Sequence, residues 1–199
     1  SNIKSVFYAL SLQNVEINYI LNGESSVSVD AMVVPGIGNF GYVMDKLREN
    51  NLDKYIIKTI SKKIPCLFIC VGMQILFTKS YELGEHNGLN IFEGEVNKIE
   101  ETDSSGRKVR NVPAIGWNKI EYKNKCKSFK DVADNSFFYF THSYFVKPKD
   151  KKIVSSTSNY CDFNYCSSIS KDKIVATQFH PEKSGESGLK IYKNFIKNI

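Results

Sequence analysis

Three short segments carry residue types that can do chemistry together. In Ile64-Pro65-Cys66-Leu67-Phe68-Ile69-Cys70-Val71-Gly72-Met73-Gln74, an apolar run of strand length delivers Cys70 into a glycine-containing turn. A strand that ends on a nucleophile and turns sharply into a helix is the backbone of a nucleophile elbow, which holds the reactive atom clear of the sheet. Gly72 leaves room for the tight turn, and a helix amino terminus behind the sulfur would favour thiolate over thiol. In Thr177-Gln178-Phe179-His180-Pro181-Glu182-Lys183-Ser184, a histidine and a carboxylate stand two residues apart at a strand end. Residues i and i+2 of an extended segment face the same side. Glu182 can therefore hold one imidazole nitrogen of His180 while the other faces a nucleophile, the division between base and orienter. The third segment is Pro35-Gly36-Ile37-Gly38, a turn whose exposed backbone N–H groups could stabilise an oxyanion.

Each segment alone has a plainer reading. Cys70 fits a buried cysteine at a strand end, His180 a surface histidine beside a turn proline, and the glycines an ordinary connection. All three, however, fall at the carboxyl ends of expected strands, where open α/β sheets bind ligands. Their joint presence favours the functional reading.

The elements that must position these residues follow from periodicity. Residues 2–12 place Ile3, Val6, Phe7 and Leu10 at helical spacing. Residues 15–20 alternate like a strand, 31–34 form a short buried strand, and Met44 to Ile56 suggest helical cover that continues over 57–63. Residues 64–69 are a buried strand and 73–78 a helix. This alternation predicts an α/β fold, a mostly parallel central sheet covered by helices. Beyond it, 93–100, 119–122, 137–140, 144–146 and 153–156 read as short strands, a smaller antiparallel region. A strand over 174–179 and a helix over 189–196 close the chain. Residues 101–110 are polar enough for an exposed hairpin tip or loop. One domain over 1–199 is the economical expectation.

Composition excludes several classes. Among 199 residues, 42% are hydrophobic and 24% charged, ordinary values for a globular chain. The net charge of +6 comes from scattered lysines rather than a stripe, so no nucleic-acid partner is expected. No apolar run approaches 18 residues, so no membrane span is expected, and no secretory leader is seen. Five cysteines at irregular spacing do not make a disulfide framework and point to a reducing, cytoplasmic setting. There is no CxxC pair, and His86, His142 and His180 are widely spread, so neither a metal site nor a cofactor is expected.

Five motifs occur in order: Val34-Pro35-Gly36-Ile37-Gly38-Asn39-Phe40, Cys70-Val71-Gly72-Met73-Gln74, Gly116-Trp117-Asn118, Tyr139-Phe140-Thr141-His142-Ser143-Tyr144, and Gln178-Phe179-His180-Pro181-Glu182-Lys183-Ser184-Gly185. Over essentially its whole length the chain resembles the class I (triad) glutamine amidotransferases. Within them it is similar to the glutaminase subunits of imidazole glycerol phosphate synthase. The resemblance implies a flavodoxin-like glutaminase fold in which Cys70 attacks the amide of L-glutamine, His180 shuttles protons and Glu182 orients His180. It implies an oxyanion hole from Gly36, Ile37, Gly38 and Val71, and a glutamine pocket lined by Gln74, His142, Ser143 and Tyr144. It further implies a heterodimer with a (βα)₈-barrel cyclase that takes up the ammonia, with Asn2, Trp117, Tyr139 and Lys183 at positions near that partner.

Family members open with a strand and a loop reaching the partner, and here only Ser1-Asn2 stands where the end of that loop would be. The expectation is a sheet lacking the family's first strand. Two alternatives stay open at this level. One is a paralogue supplying ammonia to a sugar amidotransferase in surface polysaccharide synthesis. The other is a non-catalytic regulatory subunit of the same fold, which would have no need of Cys70, His180 and Glu182 together.

Overall fold

The computed structural model describes residues 2–103 and 105–199. In chain order these form α1 (Asn2–Ser11), β1 (Met32–Gly36), α2 (Phe40–Glu49), α3 (Leu52–Ser61), β2 (Cys66–Cys70), the one-turn α4 (Val71–Gln74), β3 (Phe77–Ser80), β4 (His86–Asn87) and β5 (Phe92–Lys98). Then follow β6 (Ala114–Lys119), β7 (Glu121–Tyr122), β8 (Phe137–His142), β9 (Tyr144–Pro148), β10 (Val154–Tyr160), β11 (Phe163–Lys171), β12 (Ile174–Thr177) and α5 (Gly185–Lys197).

The main sheet has the order β1-β2-β12-β11-β10-β7. It is mixed: β1, β2 and β12 run parallel, and the ladder turns antiparallel from β11 outward. A strand flanked by parallel neighbours and covered on both faces must be apolar throughout, and every residue of β2 is buried. A second sheet, β4-β3-β5-β9, and the two-stranded antiparallel sheet β6-β8 hold the remaining strands. Helix α2 starts directly after the Gly36–Gly38 turn because Asn39 caps it, its Oδ1 accepting the Tyr42 N–H at 2.8 Å. Helix α5 buries Ile191, Tyr192 and Phe195 along one face. Its Gly188 lies so close to Pro181 that a Cβ there would meet the Pro181 carbonyl oxygen at 1.9 Å. The helix is thereby seated on the turn that carries His180 and Glu182.

Several expected elements differ. The helix expected over 73–78 stops at Gln74, because Phe77–Ser80 is drawn into β-pairing with β4 and β5. The Gly116-Trp117-Asn118 motif lies in strand β6, and β11 is a nine-residue strand where none was expected. Strand β11 carries polar Ser167 and Ser168 in a buried position, satisfied across the ladder by Ser156 Oγ at 2.8 and 2.6 Å. Around 101–110 a lone antiparallel bridge, Thr102 to Lys108, marks a hairpin; residue 104 lies outside the described residues.

Residues 15–20 are not a strand. They keep the alternation, with Val15 and Ile17 half-buried and Glu16 and Asn18 exposed, yet pair with no described strand. They line a groove of about 740 Å³ whose walls also include Met32, Val33 and Val34 of β1 and Phe195 of α5. The groove lies between the segment and β1, the last strand on that side among the described residues, and the two do not pair. Among the described residues no strand precedes β1. Ser1 and the side chain of Asn2 lie outside them; the Asn2 backbone begins α1.

Candidate active site

Three adjacent parallel strands deliver the three sequence features to one place. In the β1–β2 register Gly36 stands opposite Cys70, and in the β2–β12 register Thr177 stands opposite Ile69. The chain leaving β12 therefore brings Gln178 and His180 alongside the cysteine.

Cys70 adopts φ 56°, ψ −115°, a conformation that costs a non-glycine residue roughly 1–3 kcal/mol and persists only where the surroundings impose it. The surroundings here are two turns packed backbone to backbone. A Cβ on Gly36 would lie 2.3 Å from Gly72 N, and one on Gly72 would lie 2.4 Å from Val34 O. Only paired glycines let the Gly36–Gly38 turn and the Cys70–Gly72 elbow approach so closely. The helix behind the sulfur is a single turn, too short to carry the macrodipole the sequence suggested.

His180 is 3% exposed, and its Nδ1 lies 2.7 Å from Glu182 Oε1 in the short 3-10 turn Pro181–Lys183. Burial alone would lower the His180 pKa; hydrogen bonds with Cys70 and Glu182 outweigh it and raise the value to about 9. The imidazole of His180 is also positioned through its backbone. The His180 N–H donates to Tyr139 O at 2.9 Å, and Ser184 Oγ donates to His180 O at 2.6 Å while accepting the Tyr139 N–H at 3.0 Å.

These residues open onto a cavity of about 490 Å³ lined by Gly36, Ile37, Gly38, Cys70, Val71, Gln74, His142, Ser143, Tyr144 and His180, a size suited to a small ligand. Glu182 stands behind His180, outside that lining. Burial pushes the His142 pKa down to about 4, so its ring is neutral, and its Nδ1–H donates to Tyr144 O at 2.9 Å. The Gln74 amide nitrogen is turned inward, to Tyr144 O and Gln178 Oε1, both at 3.0 Å.

Two polar residues of the site escaped the sequence. Glu82 lines the cavity and accepts the Phe40 N–H at 2.6 Å; burial raises its pKa above the ordinary carboxylate value. It follows β3 in a segment with no motif of its own. Gln178, fully buried, places its amide 3.6 Å from Cys70 Sγ. The i, i+2 rule that linked His180 to Glu182 also puts Gln178 on their side, and could have found it.

Trp117, Tyr139 and Lys183 meet at the rim. Trp117 is 57% exposed and edge-on to Tyr139, with ring centroids 6.2 Å apart, and Lys183 Nζ sits 5.5 Å above the Tyr139 ring. Ile115 and Phe137 are also exposed on this β6–β8 face, making an apolar patch beside the cavity. Among the described residues no group of three or more His, Cys, Asp or Glu could hold a metal ion, and no helix is long and apolar enough to cross a membrane.

The sequence matches the family described as "Glutamine amidotransferase class-I" over residues 2–199. It is 37% identical to imidazole glycerol phosphate synthase subunit HisH 1 of Methanococcus maripaludis, covering 100% of this chain and 95% of that protein. It is 41% identical to imidazole glycerol phosphate synthase subunit HisH of Aquifex aeolicus, covering 98% and 90%. A crystal structure of a glutamine amidotransferase superposes with a TM-score of 0.72 over 100% of this chain and 95% of the other; at 17% identity it speaks for the fold alone.

Proposed function

Because the chain belongs to the class-I glutamine amidotransferases, we propose that it is the glutaminase subunit of an imidazole glycerol phosphate synthase, serving histidine biosynthesis. The observation that carries the reading is the convergence of Cys70 and His180 at the carboxyl ends of adjacent strands over one cavity, with Glu182 behind the imidazole.

The chemistry follows from that arrangement. Cys70 and His180 share one proton; His180 holds it while the sulfur attacks the side-chain carbonyl carbon of L-glutamine. The resulting oxyanion falls to the backbone of Gly36–Gly38 and Val71, where a preorganised donor is worth ~10²–10³ in rate. As the carbon–nitrogen bond breaks, His180 returns the proton to the nitrogen, and ammonia leaves a glutamyl thioester. Water, deprotonated by His180, adds to the thioester; the carbon–sulfur bond breaks and glutamate departs with the thiol restored. Glu182 keeps the imidazole in the required tautomer throughout.

Ser143 and Tyr144 lie where they would line the glutamine pocket with Gln74 and His142. Glu82, a carboxylate facing the cavity, suits the substrate's α-ammonium group. The exposed Ile115, Trp117, Phe137 and Lys183, with half-buried Tyr139 beneath Lys183, suit a docking face for the (βα)₈-barrel cyclase, which receives the ammonia. The chain works as one domain in the cytoplasm, where its cysteines, all free, stay reduced.

The test is glutamate release from glutamine, measured with and without the cyclase subunit and its nucleotide ligand. Hydrolysis that rises on addition of both and vanishes in Cys70→Ala supports the reading. Full hydrolysis by Cys70→Ala would sink it.

A further inference from the structure

We propose that Gln178 is a catalytic residue that donates a hydrogen bond to the attacking sulfur, its orientation set by a relay from the Tyr144 carbonyl. The inference rests on Cys70 being the nucleophile. An amide side chain has an acceptor end and a donor end, so which end meets the sulfur must be argued from its partners. The relay decides it. Tyr144 O is a backbone carbonyl and can only accept, so the group of Gln74 at 3.0 Å from it is the nitrogen. The same nitrogen lies 3.0 Å from the Gln178 side chain, so the end of Gln178 it meets is the oxygen. The far end of Gln178, 3.6 Å from Cys70 Sγ, is then its nitrogen. The His142 Nδ1–H fills the second lone pair of Tyr144 O, which leaves that carbonyl no freedom to reorganise.

Burial makes the arrangement consequential. Gln178 is fully buried, Gln74 is 2% exposed, and the Gln178 backbone is tied to Ser167 O at 2.9 Å. A neutral thiol is a weak acceptor, whereas an anionic sulfur is a strong one. The Gln178 N–H therefore binds the sulfur more strongly when His180 holds the proton the pair shares, and stabilises the attacking thiolate more than the thiol. With α4 only one turn long, this side chain supplies what a longer helix would have supplied.

Two variants and one spectroscopic measurement test the proposal in the complex with the cyclase subunit. Gln178→Leu removes the donor, and Gln178→Glu keeps the shape while presenting oxygen to the sulfur. In each, kcat for glutamine should fall about three- to tenfold, the range of one charge-assisted hydrogen bond, with KM nearly unchanged. Alkylation of Cys70 by iodoacetamide, located by peptide mass spectrometry, should slow by a similar factor. Gln74→Glu, which can no longer donate to Gln178, should slow alkylation in the same direction. In the parent protein labelled with 15N-glutamine, the Gln178 side-chain amide resonance should move when Cys70 is alkylated. That measurement decides the matter if the variants fail to fold. Unchanged kcat and alkylation rates in folded variants, or an amide resonance indifferent to Cys70 modification, overturn the proposal. Failure of the underlying reading looks different: glutamine hydrolysis would then survive in Cys70→Ala.

Discussion

His180 Nδ1 and Glu182 Oε1 are 2.7 Å apart, and both side chains are shielded from solvent. A carboxylate in that position fixes which imidazole nitrogen carries the proton and stabilises the ring once it is charged. Glu182→Gln should leave the fold intact and lower kcat/KM for glutamine roughly 10²- to 10⁴-fold, measured as glutamate release in the assembled complex. An activity within a factor of two of the parent contradicts the orienting role.

The same pair predicts a pH dependence of stability. Burial works against the imidazolium, but hydrogen bonds with Cys70 and Glu182 raise the His180 pKa from 6.5 to about 9. The folded state thus holds this proton more tightly than the unfolded chain does. The contribution is complete below pH 6.5 and is lost as pH rises through about 9. The melting temperature should decline across that window, and the decline should be shallower in Glu182→Gln. A flat profile in the parent overturns the assignment.

Glu82 should act on substrate affinity rather than on chemistry. Glu82→Gln keeps an acceptor for the Phe40 N–H but loses the charge that faces the cavity. The expected result is a KM for glutamine raised about tenfold, typical of a lost charge-assisted contact, with kcat within a factor of three. Because burial raises the Glu82 pKa, the parent's KM should begin to climb on acidification at a higher pH than an ordinary carboxylate would give. Steady-state kinetics across pH read both effects.

Gly36→Ala should be among the most damaging single-methyl additions. The new Cβ would lie 2.3 Å from Gly72 N and 2.8 Å from the Val71 side chain and carbonyl carbon, so one turn must retreat from the other. A loss of at least about 3 kcal/mol of stability is expected, together with loss of hydrolysis. Gly106→Ala is the contrasting control: nothing lies within 4 Å of its Cβ, so only its left-handed backbone is taxed, by about 1 kcal/mol. Denaturant unfolding of the two variants separates them.

Trp117→Ala removes an exposed ring and should leave stability within about 0.5 kcal/mol. Binding to the cyclase subunit, followed by calorimetry, should weaken about tenfold or more, as for an aromatic anchor. Unaltered affinity would move the docking face elsewhere.

How much of this was legible in the sequence depended on range. Cys70, His180, Glu182 and the Gly36–Gly38 turn were legible because a strand end fixes each locally, and parallel strands then bring the ends together. Glu82 was not, since only the pairing of β3 with β4 and β5 carries it to the cavity. Strand β11 was hidden by its serines, which read as a loop until cross-strand partners satisfy them. Residues 15–20 erred the other way: alternation describes a strand's faces, but a ladder needs a neighbour.

One consequence lies in Tyr139. Its ring forms part of the exposed aromatic patch, its carbonyl accepts the His180 N–H, and its amide is linked through Ser184 Oγ back to the His180 carbonyl. A force applied at the patch is transmitted to His180 across the backbone of a single residue. Shifting Tyr139 by the width of a hydrogen bond obliges His180 to follow or severs both tethers. If the patch is the docking face proposed above, docking and proton transfer share one lever arm, and tightening the first adjusts the second without any hinge.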